Sequence, residues 1–167
     1  SKNSVGYAED IEILDDYLYV SDQENSSIEV FDISDPSEPV WVSNTEIGGA
    51  LIGLSLKESS DGTPYLYTMR YGDAIVTMNL SNPSDPRVVG QSDIRSLHGR
   101  NIEQVESYLA ISSGNEIQLY DNVFFPGQPR WSNHFSVLGN VTDIACEDNA
   151  CIVGTEDKGI EIIQLNR

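Results

Sequence analysis

Positive charge is scarce in this chain. Nine Lys and Arg stand against 27 Asp and Glu in 167 residues, a formal net charge of −18. So acidic a surface repels phosphate backbones and anionic headgroups, which argues against nucleic acid and against a membrane surface. It favours cations, basic partners or plain solvation. Long apolar runs are missing too. None approaches the roughly 18 residues that a bilayer span requires, so no membrane insertion is expected. The opening SKNSVGYAED has neither Met nor an apolar h-region. Export cannot be read from such an N-terminus, and a processed or cut chain is expected. Only two His and two Cys occur. Cys146 and Cys151 have no nearby His, and a zinc site is disfavoured for want of ligands. No G-x-S-x-G motif is present, and neither His98 nor His134 has a recognisable triad context. The paired acids Asp15-Asp16 and Glu147-Asp148 fall where tight turns are expected and Asp suits the geometry. A glycosidase reading therefore has no specific residue to stand on. Apolar spacing of the helical kind is absent over any three turns.

What is present is a repeat. Apolar residues make up 39% of the chain, and eight Tyr, four Phe and two Trp supply enough bulk for a core. YLYV at 17–20 returns as YLYT at 65–68, YLAI at 108–111 and ACIV at 150–153, at spacings of 48, 43 and 42. The next segments keep step: SIEVFDI (27–33), AIVTMNL (74–80), EIQLYD (116–121) and GIEIIQL (159–165). Upstream lie DIEIL (10–14), LIGLSL (51–56), NIEQV (101–105) and TDIAC (142–146). A Pro-rich corner, FDISDPSEPVWVS at 31–43, recurs as MNLSNPSDPRVVG at 78–90 and, worn, as YDNVFFPGQPRWSN at 120–133. Each unit reads as strand A, tight turn, strand B, polar loop, strand C, Pro turn and strand D. Strand D is PVWVS (39–43), PRVVG (86–90) and PRWSN (129–133). Four-stranded meanders repeated every forty or so residues are the signature of β-propeller blades, which bury their faces only against one another. The fold class expected is all-β: a single unit over 1–167 of about four antiparallel blades, near 6–48, 49–94, 97–137 and 139–167. The extra residues of KESSDGTP (57–64) enlarge the A–B hairpin of the second unit, where an insertion is tolerated.

At GYAEDIEI (6–13), LYVSD (18–22) and IEVFDISDPSEPV (28–40) the chain resembles the LVIVD-repeat family. The second unit keeps SNPSDP (81–86) but reads GALIGL at 49–54 where the first motif would stand. The third keeps only Pro129 of the turn, and the fourth only GIEIIQL. The resemblance implies a β-propeller, generally on exported or cell-surface proteins, with no common enzymatic reaction.

With the first unit as ruler, Gln164 falls on Asp32 and Arg167 on Asp35, so the fourth unit is expected to lack its own strand D. Ser1 falls opposite Asn44, leaving the seam about eight residues short by the same alignment. Three arrangements fit. The chain is a fragment of a longer propeller, or half of a two-chain ring, or a four-bladed ring in which residues 1–5 slip to pair with 160–165. An unpaired strand C at a sheet edge invites association, and a partner, covalent or not, is the favoured reading.

The sharpest local expectation is in CEDNAC (146–151). A two-residue turn at Asp148-Asn149 sets Cys146 directly across from Cys151, at a separation a disulfide can bridge. That bond implies an oxidising compartment, hence an extracellular, cell-surface or periplasmic location. His134 falls in strand D and reads as structural. His98 precedes a strand A, on the face where D–A and B–C loops gather. Arg70, Tyr71, Asp73, Arg100, Asn101 and Asn115 share that face as candidate ligand-binding residues, along with Asp22, Glu24, Glu156 and Asp157. A group of Arg70, His98 and Arg100 would suit a carboxylate or sulfate. DQENSS (22–27) and SSDGTP (59–64) have the composition for weak Ca²⁺ binding but not the D-x-[DN]-x-[DN]-G order. The sequons at Asn25, Asn79 and Asn140 are of a number that chance supplies. No catalytic residue, metal or cofactor is assigned. The reading is a non-enzymatic propeller that binds a protein or a small anion on its loop face. The alternatives are a propeller hydrolase or lyase acting on a sugar or ester, and a structural half-ring completed by a second chain.

Overall fold

The computed structural model describes residues 6–72, 74–94, 99–123 and 126–165. Fifteen strands and no helix are found among them: β1 (Ala8–Leu14), β2 (Tyr17–Asp22), β3 (Ser27–Asp32), β4 (Val40–Glu46), β5 (Leu51–Glu58), β6 (Pro64–Arg70), β7 (Ala74–Asn79), β8 (Arg87–Asp93), β9 (Gly99–Val105), β10 (Tyr108–Ser113), β11 (Glu116–Asp121), β12 (Arg130–Ser136), β13 (Val141–Glu147), β14 (Ala150–Thr155) and β15 (Gly159–Gln164). They form four antiparallel meanders: β1-β2-β3-β4, β5-β6-β7-β8, β9-β10-β11-β12 and the three-stranded β13-β14-β15. This is the blade pattern that the repeat implies, with the fourth blade short of an outer strand among the described residues. Strand D runs longer than its sequence signal, to Glu46, Asp93 and Ser136. The polar tails after each Pro turn go on pairing with strand C, although their side chains give no alternation to read. Ser1–Val5, and with them the slipped closing strand, lie outside the described residues.

The inner strands β1, β5, β9 and β13 adjoin in that order, each beside the next. Between successive blades lie three apolar layers. Tyr19, Ile28 and Val30 meet Leu54, Leu66 and Met78. Tyr67, Met69 and Ile75 meet Ile102, Leu109 and Tyr120. Ala110, Ile117 and Leu119 meet Ile144, Cys151 and Val153. Strand alternation makes this possible, since each blade presents odd and even positions to opposite neighbours. At roughly 25 cal/mol per Å² of buried apolar surface, these layers are the main stabilising term of the fold.

The repeated Pro corner has a structural purpose. Asp32, Asn79 and Asp121 end strand C of their blades and accept the backbone N–H of Ser34, Ser81 and Val123 two residues on, at 2.8–3.0 Å. That Asx turn reverses the chain, and the prolines remove N–H donors that would otherwise continue the ladder. The corner of the second blade then receives the first. Tyr19 Oη donates to Pro83 O at 2.9 Å, Ser43 Oγ to Ser84 O at 2.6 Å, and Thr45 Oγ1 to Pro86 O at 2.9 Å. In the third blade Gly127 takes the place of Ser84, so close to β8 that a Cβ on Gly90 would overlap the Gly127 carbonyl. The corners of the second and third blades are thus clamps on the blade that precedes each.

Candidate functional site

At the start of each inner strand the pairing with strand B slips by one residue, leaving Glu9, Gly53, Arg100 and Thr142 as bulges. Bulges bend the strand and re-aim its side chains, and they occur often beside functional sites. Here they open a cavity of about 180 Å³ between the inner strands. Glu9 and Asp10 enter it from the first blade, Gly53 from the second, Arg100, Asn101 and Glu103 from the third, and Asp143 from the fourth. One small space therefore gathers residues from all four blades.

Its walls are hydrogen-bonded across blade boundaries. Asp10 Oδ2 accepts the N–H of Leu54 at 2.7 Å, and its Oδ1 accepts that of Ile11 at 2.8 Å. Gly53 permits the first contact: it sits at φ +65°, and a Cβ there would press on Ile102. Asn101 Nδ2 donates to Asp143 Oδ1 at 3.1 Å, and Ser112 Oγ donates to Asn101 Oδ1 at 2.9 Å. Electrostatically the cavity is crowded with like charge. Burial, then Glu12, Asp10 and Asp143 in that order, push the Glu103 carboxyl up to about 7. Glu12 is raised as well, by burial and then by Asp10, against backbone hydrogen bonds from Leu56 and Ile13 that favour its charge. Arg100, exposed at the mouth, is the single cation in the lining among the described residues.

Of the loop-face residues singled out in the sequence, Arg100 and Asn101 line this cavity. Arg70, the last residue of β6, and Tyr71 and Asn115, in B–C turns, lie at the same end outside its wall. The Tyr71 N–H donates to Ala50 O, and the Asn115 carbonyl accepts from Val137. Asp73 and His98 lie outside the described residues, so the Arg70–His98–Arg100 grouping has no geometry to report. Of the acids placed there, Asp22, Glu156 and Asp157 have local partners. Asp22 accepts from Gly6 N, Asn25 N and Asn25 Nδ2 at 2.7–3.0 Å. Burial opposes ionisation of Asp22, but these hydrogen bonds outweigh it and hold the carboxyl below its usual range. Glu156 accepts from Asn140 Nδ2, and Asp157 pairs with Lys158 at 2.8 Å. In the other acidic loop Asp61 accepts from Ser59 Oγ and Thr63 N, forming a turn. Among the described residues no three His, Cys, Asp or Glu side chains gather as metal ligands.

Glu9, Asp10, Glu103 and Asp143 were missed by motif reading, yet a signal exists. Asp10 with Glu12, and Asn101 with Glu103, are polar at alternate positions of an inner strand, where an apolar core position would be expected were the strand enclosed on both sides. At the opposite end of the fourth blade, Glu147 pairs with Ala150 and Cys146 with Cys151 across the Asp148-Asn149 turn. The two sulfurs are joined in a disulfide. His134 lies exposed on β12, the outer strand of its blade.

Comparison with known proteins agrees with this geometry. Residues 5–46, the whole first blade, match the family model of the LVIVD repeat. No curated protein matches the chain. Among solved structures it is similar to BamB from Moraxella catarrhalis, at 13% identity and a TM-score of 0.67, over 93% of this chain and 44% of that one. A putative 6-phosphogluconolactonase from Bacteroides uniformis is 10% identical with a TM-score of 0.73, over 93% of this chain and 52% of that one. Its counterpart from Bacteroides fragilis is 14% identical with a TM-score of 0.67, over 94% and 42%. Identities this low show the fold, a β-propeller, and nothing finer. The chain spans about half the length of these structures.

Proposed function

We propose that this chain is a non-enzymatic binding module of an exported or cell-surface protein, and that the cavity between its inner strands takes a basic side chain of a protein partner. The observation that carries the reading is the cavity itself. It holds four carboxylates from three blades, and its volume of about 180 Å³ is well under the roughly 300–1,000 Å³ typical of small-molecule sites. A Lys or Arg head fits that space and relieves the repulsion around Glu103, Asp10 and Asp143. The disulfide supports an oxidising compartment. The test is calorimetric titration with an unstructured peptide of alternating Arg and Gly. Binding should weaken with salt and fall several-fold in a Glu103→Gln/Asp143→Asn variant; absence of binding at low salt, or indifference to the variant, refutes the reading. A small anion held near Arg70 and Arg100 is the other ligand class, and Arg100 would have to bind it beside those same carboxylates. Sulfate, titrated separately, distinguishes the two.

A hydrolase reading has two observations in its favour. A carboxyl raised to about 7 is suited to general acid work near neutral pH, and two of the similar structures are described as putative lactonases. Lactone hydrolysis that is lost in Glu103→Gln would favour that reading over the binding role. Completion of the ring is a separate matter of the two end faces, whichever ligand the cavity takes.

A further inference from the structure

The register of the four blades lets equivalent residues be compared directly. On the side of each blade that faces its successor, three positions build the interface. Tyr19, Tyr67, Ala110 and Ile152 occupy the first, Ile28, Ile75, Ile117 and Ile160 the second, and Val30, Thr77, Leu119 and Ile162 the third. In the first three blades all nine side chains are at most 3% exposed. In the fourth, Ile152, Ile160 and Ile162 are 52%, 74% and 69% exposed. The side facing the preceding blade shows the converse. Ile11, Leu54, Ile102 and Ile144 are equivalent. Three of them are 2–3% exposed, and Ile11 is 56% exposed, with Ile13 beside it at 55%. The corner clamp repeats the pattern: Pro86 is buried under the first blade, whereas Pro39, its equivalent, is exposed.

We infer that these two end faces are the two halves of a fourth inter-blade interface, and that a second copy of the chain joins them head to tail, the fourth blade of one copy on the first blade of the other. The isoleucines repeat a surface that is buried three times within the chain, in the same register and with the same aliphatic chemistry, so the occupant each face fits is a blade of this kind. The two faces differ from each other, so the contact is heterologous, and such a contact forms a closed ring when its rotation closes. Two copies supply both faces with partners, and their joint length is about that of the similar propellers, of which one chain spans 42–52%. The apolar isoleucines drive the association, and the charge of −18 on each chain opposes it. Added salt should therefore strengthen the pairing, whereas it weakens a basic ligand in the cavity. The two proposals thus fail independently.

Light scattering on the 167-residue chain reads the outcome. The expected mass is twice the 18.4 kDa of one chain. Ile160→Asp/Ile162→Asp disables one face and Ile11→Asp/Ile13→Asp the other, so each variant alone should run at the mass of one chain. An equimolar mixture of the two should return to twice that mass, because each variant keeps the face that the other needs. All four positions face solvent in the single chain, and far-UV circular dichroism checks that the sheet is retained. A wild-type chain that keeps a one-chain mass up to its solubility limit overturns the inference, and would leave the faces to further blades of a longer polypeptide. Variants that still dimerise alone, or a mixture that does not, overturn head-to-tail pairing. If a variant fails to fold, the wild-type mass and its response to salt decide.

Discussion

Replacing Glu103 by Gln removes one charge from the crowded cavity between the inner strands and should stabilise the protein in a pH-dependent way. In the folded chain this carboxyl ionises near 7, pushed up from 4.5 by burial and by Glu12, Asp10 and Asp143. Between those values the folded state holds a proton that the unfolded chain has released. Stability therefore falls as pH rises from about 4.5 to 7, and the penalty is complete above that window. At about 1.36 kcal/mol per unit the whole shift corresponds to roughly 3 kcal/mol. Glu103 is only partly buried, and solvent and counterions screen its neighbours, so about 1–2 kcal/mol is the realistic size. For a chain of this length that is a rise in Tm of roughly 3–6 °C at pH 8. At pH 4 both proteins carry a neutral group, and the gap should close. Thermal denaturation followed by circular dichroism at pH 4, 6 and 8 measures it. A gain of the same size at every pH, or a loss at pH 8, would refute the electrostatic account of the cavity.

Three further outcomes follow from the interfaces. Thr77 Oγ1 is buried without a hydrogen-bond partner among the described residues, at the position Val30 occupies one blade earlier. Thr77→Val should raise stability by about 1 kcal/mol in chemical denaturation, and a loss would mean that the hydroxyl has a partner. Gly90→Ala puts a methyl group onto the Gly127 carbonyl and should cost about 1–3 kcal/mol by forcing β8 off the third blade's corner. An unchanged midpoint would deny that clamp. Cys146→Ala/Cys151→Ala should cost about 2 kcal/mol or less, since the closed loop is short. Alkylation of the native, unreduced chain should find no free thiol, and labelling of both cysteines would remove the bond from the account.

Much of the architecture could be read directly from residues. The blade count, the A–B turn at Asp148-Asn149 and the pairing of Cys146 with Cys151 all depend on period, turn chemistry and strand register, which are local properties. The Pro corner was legible as a turn for the same reason. Its second role, accepting hydrogen bonds from Tyr19, Ser43 and Thr45, was not, because those donors lie more than forty residues away. The candidate site divides in the same manner. Arg100 and Asn101 were found because they fall at the start of a strand that the repeat locates. Glu103, Asp10 and Asp143 were not, because in a chain with 27 acids no single carboxylate stands out until the strands are placed side by side.

By itself, then, the sequence determined that the chain makes four sheets, where each turns, which positions alternate toward a neighbour, and that one hairpin carries a cross-strand disulfide. These follow from backbone preference and from a period of two along each strand. Only the tertiary structure decided what the alternating residues meet. Ile28 and Ile160 occupy the same position of the same repeat, yet one is buried and the other faces solvent. Burial is a property of the blade alongside, and no residue encodes its own neighbour.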